Sequence, residues 1–208
     1  MHLHLQYRII SKFYDLVDVF YFNCTKTNPR KGILDFISER KSKVLEVCIG
    51  TATNSIIIAD NRINTEIVGI DLSKEMLALA KEKIEKRGIR NIETLVMDAT
   101  NMNFDDNYFD VVLISLVLHE VDDNIRYEIM KESKRVLKNK GKIVVVEWAQ
   151  PKKLIQKLLF LIIKLLEPKG FKEFLQLDIK KYVEKFSLKV LSEKKCDYTR
   201  IFEITKEE

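Results

Sequence analysis

The chain has 208 residues, of which 46% are hydrophobic and 32% charged, so it fits one domain with a sizeable core and excludes a disordered chain. The 36 basic and 31 acidic side chains leave a net charge of only +5, which argues against nucleic-acid binding. Three scattered cysteines and an N-terminus without a secretory signal predict a cytoplasmic protein with reduced thiols and no metal site.

From residue 43 onward, the apolar pattern predicts strands that alternate with helices. Short apolar runs are typical of buried strands, and segments with one apolar face are typical of helices. The predicted strands are Lys43–Cys48, Glu66–Ile70, Ile92–Met97, Phe109–Leu116 and Lys142–Trp148. The predicted helices are Thr53–Asp60 and Ser73–Arg87, the latter with Ser73 as an N-cap and Gly88 as a stop, and a third from about Asn124 to Leu137 that is expected to end near Asn139, Lys140 and Gly141. This alternation favours a parallel sheet covered by helices on both faces.

The two ends of the chain differ from this alternating core. The first 40 residues have helical spacing and are predicted to form a cap or lid. Residues 151–208 begin with a lysine-punctuated apolar helix, Leu154–Leu166, and continue with a second helix around Asp178–Phe186. Two final runs, Leu188–Glu193 and Thr199–Thr205, are predicted to be strands that pair antiparallel at one edge. We therefore predict a single domain with a cap over 1–40 and a core over 41–150.

Three acidic residues, Glu46, Asp71 and Asp98, lie at or just after the ends of predicted strands. In an open α/β sheet, ligands bind beyond the carboxyl ends of the strands, where the strand order reverses. A carboxylate at position 71 is suited to accept hydrogen bonds from both hydroxyls of a ribose. Gly50 and Thr51 lie in the turn between the first two acids, where a glycine lets the backbone approach a ligand closely. Each acid also has a simpler interpretation as a helix cap, and for Asp71 taken alone the two are equally supported.

Five motifs follow one another in order between about Val44 and Trp148: VLEVCIGTAT, VGIDLSKEML, VMDATNMNF, YFDVVLISLVLHEV and RVLKNKGKIVVVEW. Together they resemble the class I S-adenosylmethionine-dependent methyltransferases, and among these the branch of quinone-biosynthesis C-methyltransferases and small-molecule relatives. The resemblance implies a doubly wound, Rossmann-like α/β fold with a seven-stranded, mostly parallel sheet, one antiparallel edge strand and an N-terminal helical cap. It also implies methyl transfer from S-adenosylmethionine to a small acceptor, either quinone-like or lipid-like, which residues 151–208 would help to recognise.

The resemblance implies roles around the methionine part of the cofactor. Glu46 would organise the methionine amino group, and Gly50 with Thr51 would pass close to the methionine portion. Ser115, at the end of the fourth strand, would lie near the sulfonium. Tyr14, in the run FYDLVD, resembles an N-terminal tyrosine that closes over the cofactor carboxylate.

The resemblance also implies contacts to the nucleoside part. Asp71 would bind the ribose hydroxyls, with Leu72 and Met76 packing near the adenine. Asp98 would accept a hydrogen bond from the adenine amino group, and the backbone N–H of Ala99 would meet a ring nitrogen.

The glycine-rich turn departs from the family pattern, which usually reads acidic-x-Gly-x-Gly-x-Gly. Here Gly50 is kept, while Cys48 and Ala52 replace the outer glycines. The Cβ of Ala52 is expected to crowd the backbone or the methionine carboxylate and to reduce cofactor affinity. A non-catalytic relative that binds S-adenosylmethionine therefore stays an alternative. A nicotinamide-dependent oxidoreductase is less favoured, because it would need a fuller Gly-x-Gly-x-x-Gly turn.

His119 follows the fourth predicted strand, at the mouth where an acceptor must meet the methyl group. It is the candidate catalytic residue, as a general base for a hydroxyl or an acidic carbon. A histidine that stabilises the loop is equally supported, because methyl transfer is an in-line displacement for which positioning supplies much of the rate. The sequence after this strand lacks the Asn/Asp-Pro-Pro-Tyr type motif, which disfavours methyltransferases of nucleic-acid bases.

The apolar helix Leu154–Leu166 bears on the choice of acceptor. At 100° per residue, Lys153, Lys157 and Lys164 share one face and the rest is apolar. The favoured interpretation is a helix packed over the core. The alternatives are a lid over a hydrophobic acceptor, or peripheral membrane contact through residues 152–166. The oligomeric state stays open at this point.

Overall fold

A computed structural model describes residues 27–167 and 170–207. Its strands are β1 Ser42–Val47, β2 Thr65–Asp71, β3 Ile92–Val96, β4 Phe109–Ser115, β5 Leu137–Trp148, β6 Leu188–Lys195 and β7 Thr199–Lys206. Its helices are α1 Pro29–Ile33, α2 Thr53–Asn61, α3 Lys74–Lys86, α4 Asp123–Val136, α5 Leu154–Leu166, α6 Phe171–Phe174 and α7 Ile179–Glu184, with a 3-10 turn at Leu34–Phe36. None of the helices in this part of the chain has the length and apolar character needed to cross a bilayer.

The strands form one seven-stranded sheet in the order β3-β2-β1-β4-β5-β7-β6. Strands β1 to β5 are parallel, and β7 runs antiparallel to both of its neighbours. The predicted fold class is therefore confirmed, with the detail that the antiparallel strand lies between β5 and the edge strand β6. The order reverses between β1 and β4, which defines the crevice where ligands bind in such sheets. Most of the predicted N-terminal cap, including Tyr14, lies outside the described residues.

Strand β4 shows why the central strands read as unbroken apolar runs. Val112 and Ile114 pack into one hydrophobic cluster, and Val111 and Leu113 pack into another. All four side chains are buried, because helices cover both faces of the sheet. The core is therefore divided by the sheet, and the polar residues that matter for function lie at the strand ends.

Helix α3 begins and ends where the sequence predicted. The hydroxyl of Ser73 accepts a hydrogen bond from the backbone N–H of Met76, as an N-cap does. Gly88 follows the helix with a φ of 66°, the left-handed conformation of a helix stop.

The junction between α4 and β5 differs from the prediction. The helix was expected to end near residues 139–141, but it ends at Val136, and β5 begins at Leu137. Leu137 pairs with Phe109 across a shift of register in β4. A Cβ on Gly141 would lie 2.8 Å from the carbonyl oxygen of Asp110, so this glycine permits close strand pairing and does not stop a helix. The early start of β5 is explained by its pairing with β4, a long-range contact that a local sequence pattern does not reveal.

Candidate cofactor and acceptor site

The turn between β1 and α2 has a left-handed residue at every second position. Cys48, Gly50 and Ala52 have φ values of 53°, 56° and 61°. These are the three positions at which the family pattern places glycine. A residue with a side chain costs about 1–2 kcal/mol in this conformation, so Cys48 and Ala52 strain the turn without changing its shape. Burial raises the pKa of the Cys48 thiol to about 12, and the thiol stays protonated.

The turn is open to solvent beside Gly50 and closely packed around Ala52. No heavy atom lies within 4 Å of the position that a Cβ on Gly50 would occupy, so the backbone here faces an opening. Ala52 is fully buried in an apolar cluster with Ile49, Ile56 and Leu77. Its methyl group is therefore covered by these side chains and does not project into the opening beside Gly50.

The carboxylate of Asp71 joins two turns at this edge of the sheet. One oxygen accepts a hydrogen bond from the Gly50 N–H at 2.9 Å, and the other accepts one from the Ser73 N–H at 2.9 Å. Helix α3 is capped by the Ser73 hydroxyl, so Asp71 is not needed as its cap. Each carboxylate oxygen keeps a second lone pair, which is the capacity that binding two ribose hydroxyls requires. Beside it Leu72 is exposed, and Met76 is half-buried.

Glu46 is buried and fully engaged with the first turn of α2. Its carboxylate accepts hydrogen bonds from the Asn54 amide at 2.8 Å, from the Ser55 N–H at 3.1 Å and from the Ser55 hydroxyl. Burial raises the pKa of Glu46, against the opposing effect of the bonds from Ser55 and Asn54. Asn54 in turn accepts from the Arg30 guanidinium. In this arrangement Glu46 holds the end of β1 to α2, and its contact with the methionine amino group stays a prediction.

The remaining predicted cofactor residues lie at the same edge. Asp98 is exposed, and one of its oxygens accepts from the N–H and the hydroxyl of Thr100, both at 2.8 Å. Ala99 is buried, and Ser115 is half-buried at the carboxyl end of β4. The Thr51 hydroxyl accepts from Lys83 at 3.0 Å. Because β1 to β4 are parallel neighbours, their carboxyl ends gather these residues in one crevice.

His119 is buried against a glutamate that the sequence analysis did not single out. Its Nδ1 lies 2.7 Å from an oxygen of Glu147, a fully buried residue of β5. The other oxygen of Glu147 accepts from the backbone N–H groups of Val117 at 3.2 Å and Leu118 at 2.8 Å. The loop after β4 is thus folded around one buried carboxylate.

A second glutamate reaches His119 from the end of α5. The Nε2 atom lies 3.2 Å from Glu167 and 4.0 Å from Glu120. Burial lowers the pKa of His119, but the carboxylates of Glu147 and Glu167 outweigh it and raise the pKa to about 10. A histidine that keeps its proton at neutral pH is poorly placed to act as a base, so this conformation favours the loop-stabilising interpretation.

Arg126 supports the same loop from α4. This buried guanidinium donates to the carbonyl oxygens of Leu118 at 2.7 Å and Val121 at 2.9 Å. A cleft of about 560 Å³ opens beside the loop. Its walls include His119, Glu120, Arg126, Glu173, Phe174 and Leu177. A charged residue within an apolar run is the sequence feature that could have identified these groups. Glu147 in the run KIVVVEW is the clearest example.

Part of this chain is similar in sequence to known methyltransferases. Residues 44–141 match the family model described as a methyltransferase domain. The demethylmenaquinone methyltransferase of Bacillus cytotoxicus is 39% identical over 112 residues, which cover 53% of this chain and 46% of that protein. The demethylmenaquinone methyltransferase of Geobacillus sp. is 37% identical over 114 residues, covering 54% and 48%. The chain spans about half the length of the curated relatives that it matches.

The fold has a close counterpart among solved structures. A S-adenosylmethionine-dependent methyltransferase from Aquifex aeolicus superposes with a TM-score of 0.73 over 95% of this chain and 97% of that chain, at 19% sequence identity. The resemblance to the class I S-adenosylmethionine-dependent methyltransferases is thus confirmed by the domain match over residues 44–141 and by the sequence relatives, and the fold is shared with a methyltransferase of that kind. Within that class, it is similar in sequence to the demethylmenaquinone methyltransferases.

Proposed function

We propose that the chain transfers the methyl group of S-adenosylmethionine to a small lipophilic acceptor of quinone type. The observation that carries the cofactor half is the crevice where the strand order reverses, with Asp71 bonded to the Gly50 N–H beside an open space. The acceptor half is supported by relatives named demethylmenaquinone methyltransferases, which match about half of the chain. The cytoplasm is the proposed location, in keeping with the free cysteines Cys48 and Cys196.

The residues at the crevice fit this cofactor. Asp71 would hold the ribose hydroxyls, Asp98 the adenine amino group, and the backbone around Gly50 the methionine portion. Leu72 and Met76 offer apolar contact for the adenine. When bound, the cofactor supplies a methyl group on a positively charged sulfur, which is reactive without further activation by the protein.

The loop after β4 would position the acceptor. Glu147 and Arg126 fix its backbone from two sides, so the walls of the acceptor-side cleft are set before an acceptor binds. Such preorganisation contributes to an in-line displacement by holding the reacting atoms close together. The prediction of His119 as a general base stays open, and it requires that the contact with Glu167 be broken first.

Calorimetric titration with S-adenosylmethionine and S-adenosylhomocysteine tests the cofactor half. We expect micromolar binding to the wild type and a loss of at least about tenfold in affinity for Asp71→Ala. Asp110→Ala is the matched control, because Asp110 also accepts a backbone N–H at a strand end but lies away from the crevice. Absence of binding to the wild type would overturn the proposal.

An assay of methyl transfer to a demethylated quinol and to a panel of small polar acceptors tests the proposed acceptor. Transfer to the quinol supports the proposed acceptor, and transfer only to a polar acceptor overturns it. Cofactor binding without transfer to any acceptor would favour a non-catalytic relative, for which the strained residues Cys48 and Ala52 are the specific observation.

A further inference from the structure

Helix α5 has a narrow face packed on the protein and a wide apolar face in solvent. Phe160 and Ile163 are buried with Trp148, Phe171 and Tyr198. Seven other large apolar side chains of the helix are between 45% and 85% exposed. Monomeric proteins rarely leave so many neighbouring apolar side chains in water, and such a patch marks an interaction surface.

The exposed side chains form a continuous stripe along the helix. At 100° per residue, they occupy an arc of about 160°. Lys157 and Lys164 lie along one border of this arc, and Lys153, just before the helix, continues the same border. An apolar stripe bordered by lysines is the arrangement of a helix that lies in the plane of a membrane interface.

The charged residues beside the apolar stripe indicate what kind of partner the stripe would contact. Residues 150–166 contain four lysines and no acidic residue. Anionic headgroups would complement these lysines, whose long stems let the charged ends reach the headgroups while the helix lies deeper. Antiparallel pairing of the same stripe with a second copy is disfavoured, because it would bring lysines of both helices together without acids to pair them.

We propose that α5 docks on an anionic lipid bilayer, with its leucines among the acyl chains and its lysines at the headgroups. A cleft of about 610 Å³ borders the helix and is lined by residues that include Pro151, Leu158 and Leu161, which gives an acyl or isoprenoid chain room to enter. The end of α5 leads directly to Glu167 and so to His119. The docked helix would thereby connect the bilayer with the acceptor-side loop.

Flotation with vesicles tests the docking on the full chain, without cofactor or acceptor. Vesicles of 30% phosphatidylglycerol in phosphatidylcholine are compared with pure phosphatidylcholine. We expect binding to the anionic vesicles, reduced by about tenfold for each leucine removed in Leu158→Ser/Leu165→Ser. Lys153→Gln/Lys157→Gln should reduce it by about fivefold per lysine, and salt should mimic this change.

Matched controls separate the helix from general surface effects. Ile63→Ser/Leu191→Ser removes two exposed apolar residues outside α5, and Lys140→Gln/Lys189→Gln removes two exposed lysines elsewhere. Both controls should bind vesicles like the wild type. No binding of the wild type, equal losses in the controls, or concentration-dependent dimers that Leu158→Ser/Leu165→Ser abolishes would each overturn the proposal. Because no methyl transfer is measured, its failure leaves the proposed function untouched.

Discussion

The turn after β1 and the loop after β4 lie side by side at one edge of the sheet, but they are held in different ways. The turn is shaped by three left-handed residues and is open beside Gly50. The loop is wrapped around the buried charges of Glu147 and Arg126. Local backbone geometry therefore shapes the proposed cofactor side, and long-range hydrogen bonds and ion pairs shape the proposed acceptor side. The turn after β1 depends on backbone conformation and the loop after β4 depends on buried charge, so substitutions can test the two regions separately.

Removal of the buried charge at position 147 should have the largest effect. Glu147→Gln removes the fully buried one of the two carboxylates that contact the His119 imidazolium and leaves only the partly exposed Glu167, and breaking such a buried pair costs up to about 3–5 kcal/mol. Urea unfolding measures the change, with Glu93→Gln on the exposed face of β3 as control. A loss below about 1 kcal/mol for Glu147→Gln would show that the loop does not depend on this charge.

A change of pH tests the same pair without a mutation at Glu147. The pKa of His119 is raised from 6.5 to about 10 in the folded protein, so the folded state binds the proton more tightly than the unfolded state. This contribution to stability is fully present below about pH 6.5 and is lost as the pH rises towards 10. The free energy of unfolding should therefore fall over this range, by an amount on the order of a few kcal/mol.

His119→Gln gives the reference for that pH profile, because it removes the titrating group and keeps a hydrogen-bonding side chain. The difference between wild type and variant should shrink as the pH rises from 6.5 to 10. A constant difference would mean that His119 is neutral when folded. It would also favour general-base catalysis over loop stabilisation, which a rate profile rising through a pKa near 7 would support.

The cofactor side could be predicted from the sequence because its determinants are local. Asp71 and the Ser73 cap follow from residues within a few positions of one another, and Gly50 marked the turn, although the left-handed conformations of Cys48 and Ala52 were not predicted. The acceptor side could not be predicted in the same way. His119 was singled out, but its partner Glu147 lies 28 residues away and Glu167 further still. Only the pairing of β4 with β5 and the packing of α5 bring these three together.

Substitution of a glycine in the left-handed conformation tests whether the turn after β1 depends on its backbone conformation. Gly50→Ala should destabilise the fold by about 1 kcal/mol, because an alanine is strained at a φ of 56°. Gly88→Ala is closely matched, since Gly88 has a φ of 66° and also has no heavy atom near its Cβ position. The two should lose similar stability in urea unfolding, but only Gly50→Ala should weaken S-adenosylhomocysteine binding. Equal affinities would remove Gly50 from the cofactor site.

Ala52→Gly should have the smallest effect and tests whether the third glycine of the family pattern matters here. The substitution relieves strain at a φ of 61°, but it also removes a fully buried methyl group and adds backbone freedom in the unfolded chain. The relief of strain stabilises the fold, whereas the lost burial and the added backbone freedom destabilise it. We therefore expect the free energy of unfolding to change by less than about 1 kcal/mol. Cofactor affinity should also stay the same, because the methyl group packs against Ile49 and Leu77 and not in the opening. A severalfold gain in affinity would show instead that Ala52 crowds the bound cofactor, and that the turn after β1 has to adjust when the cofactor binds.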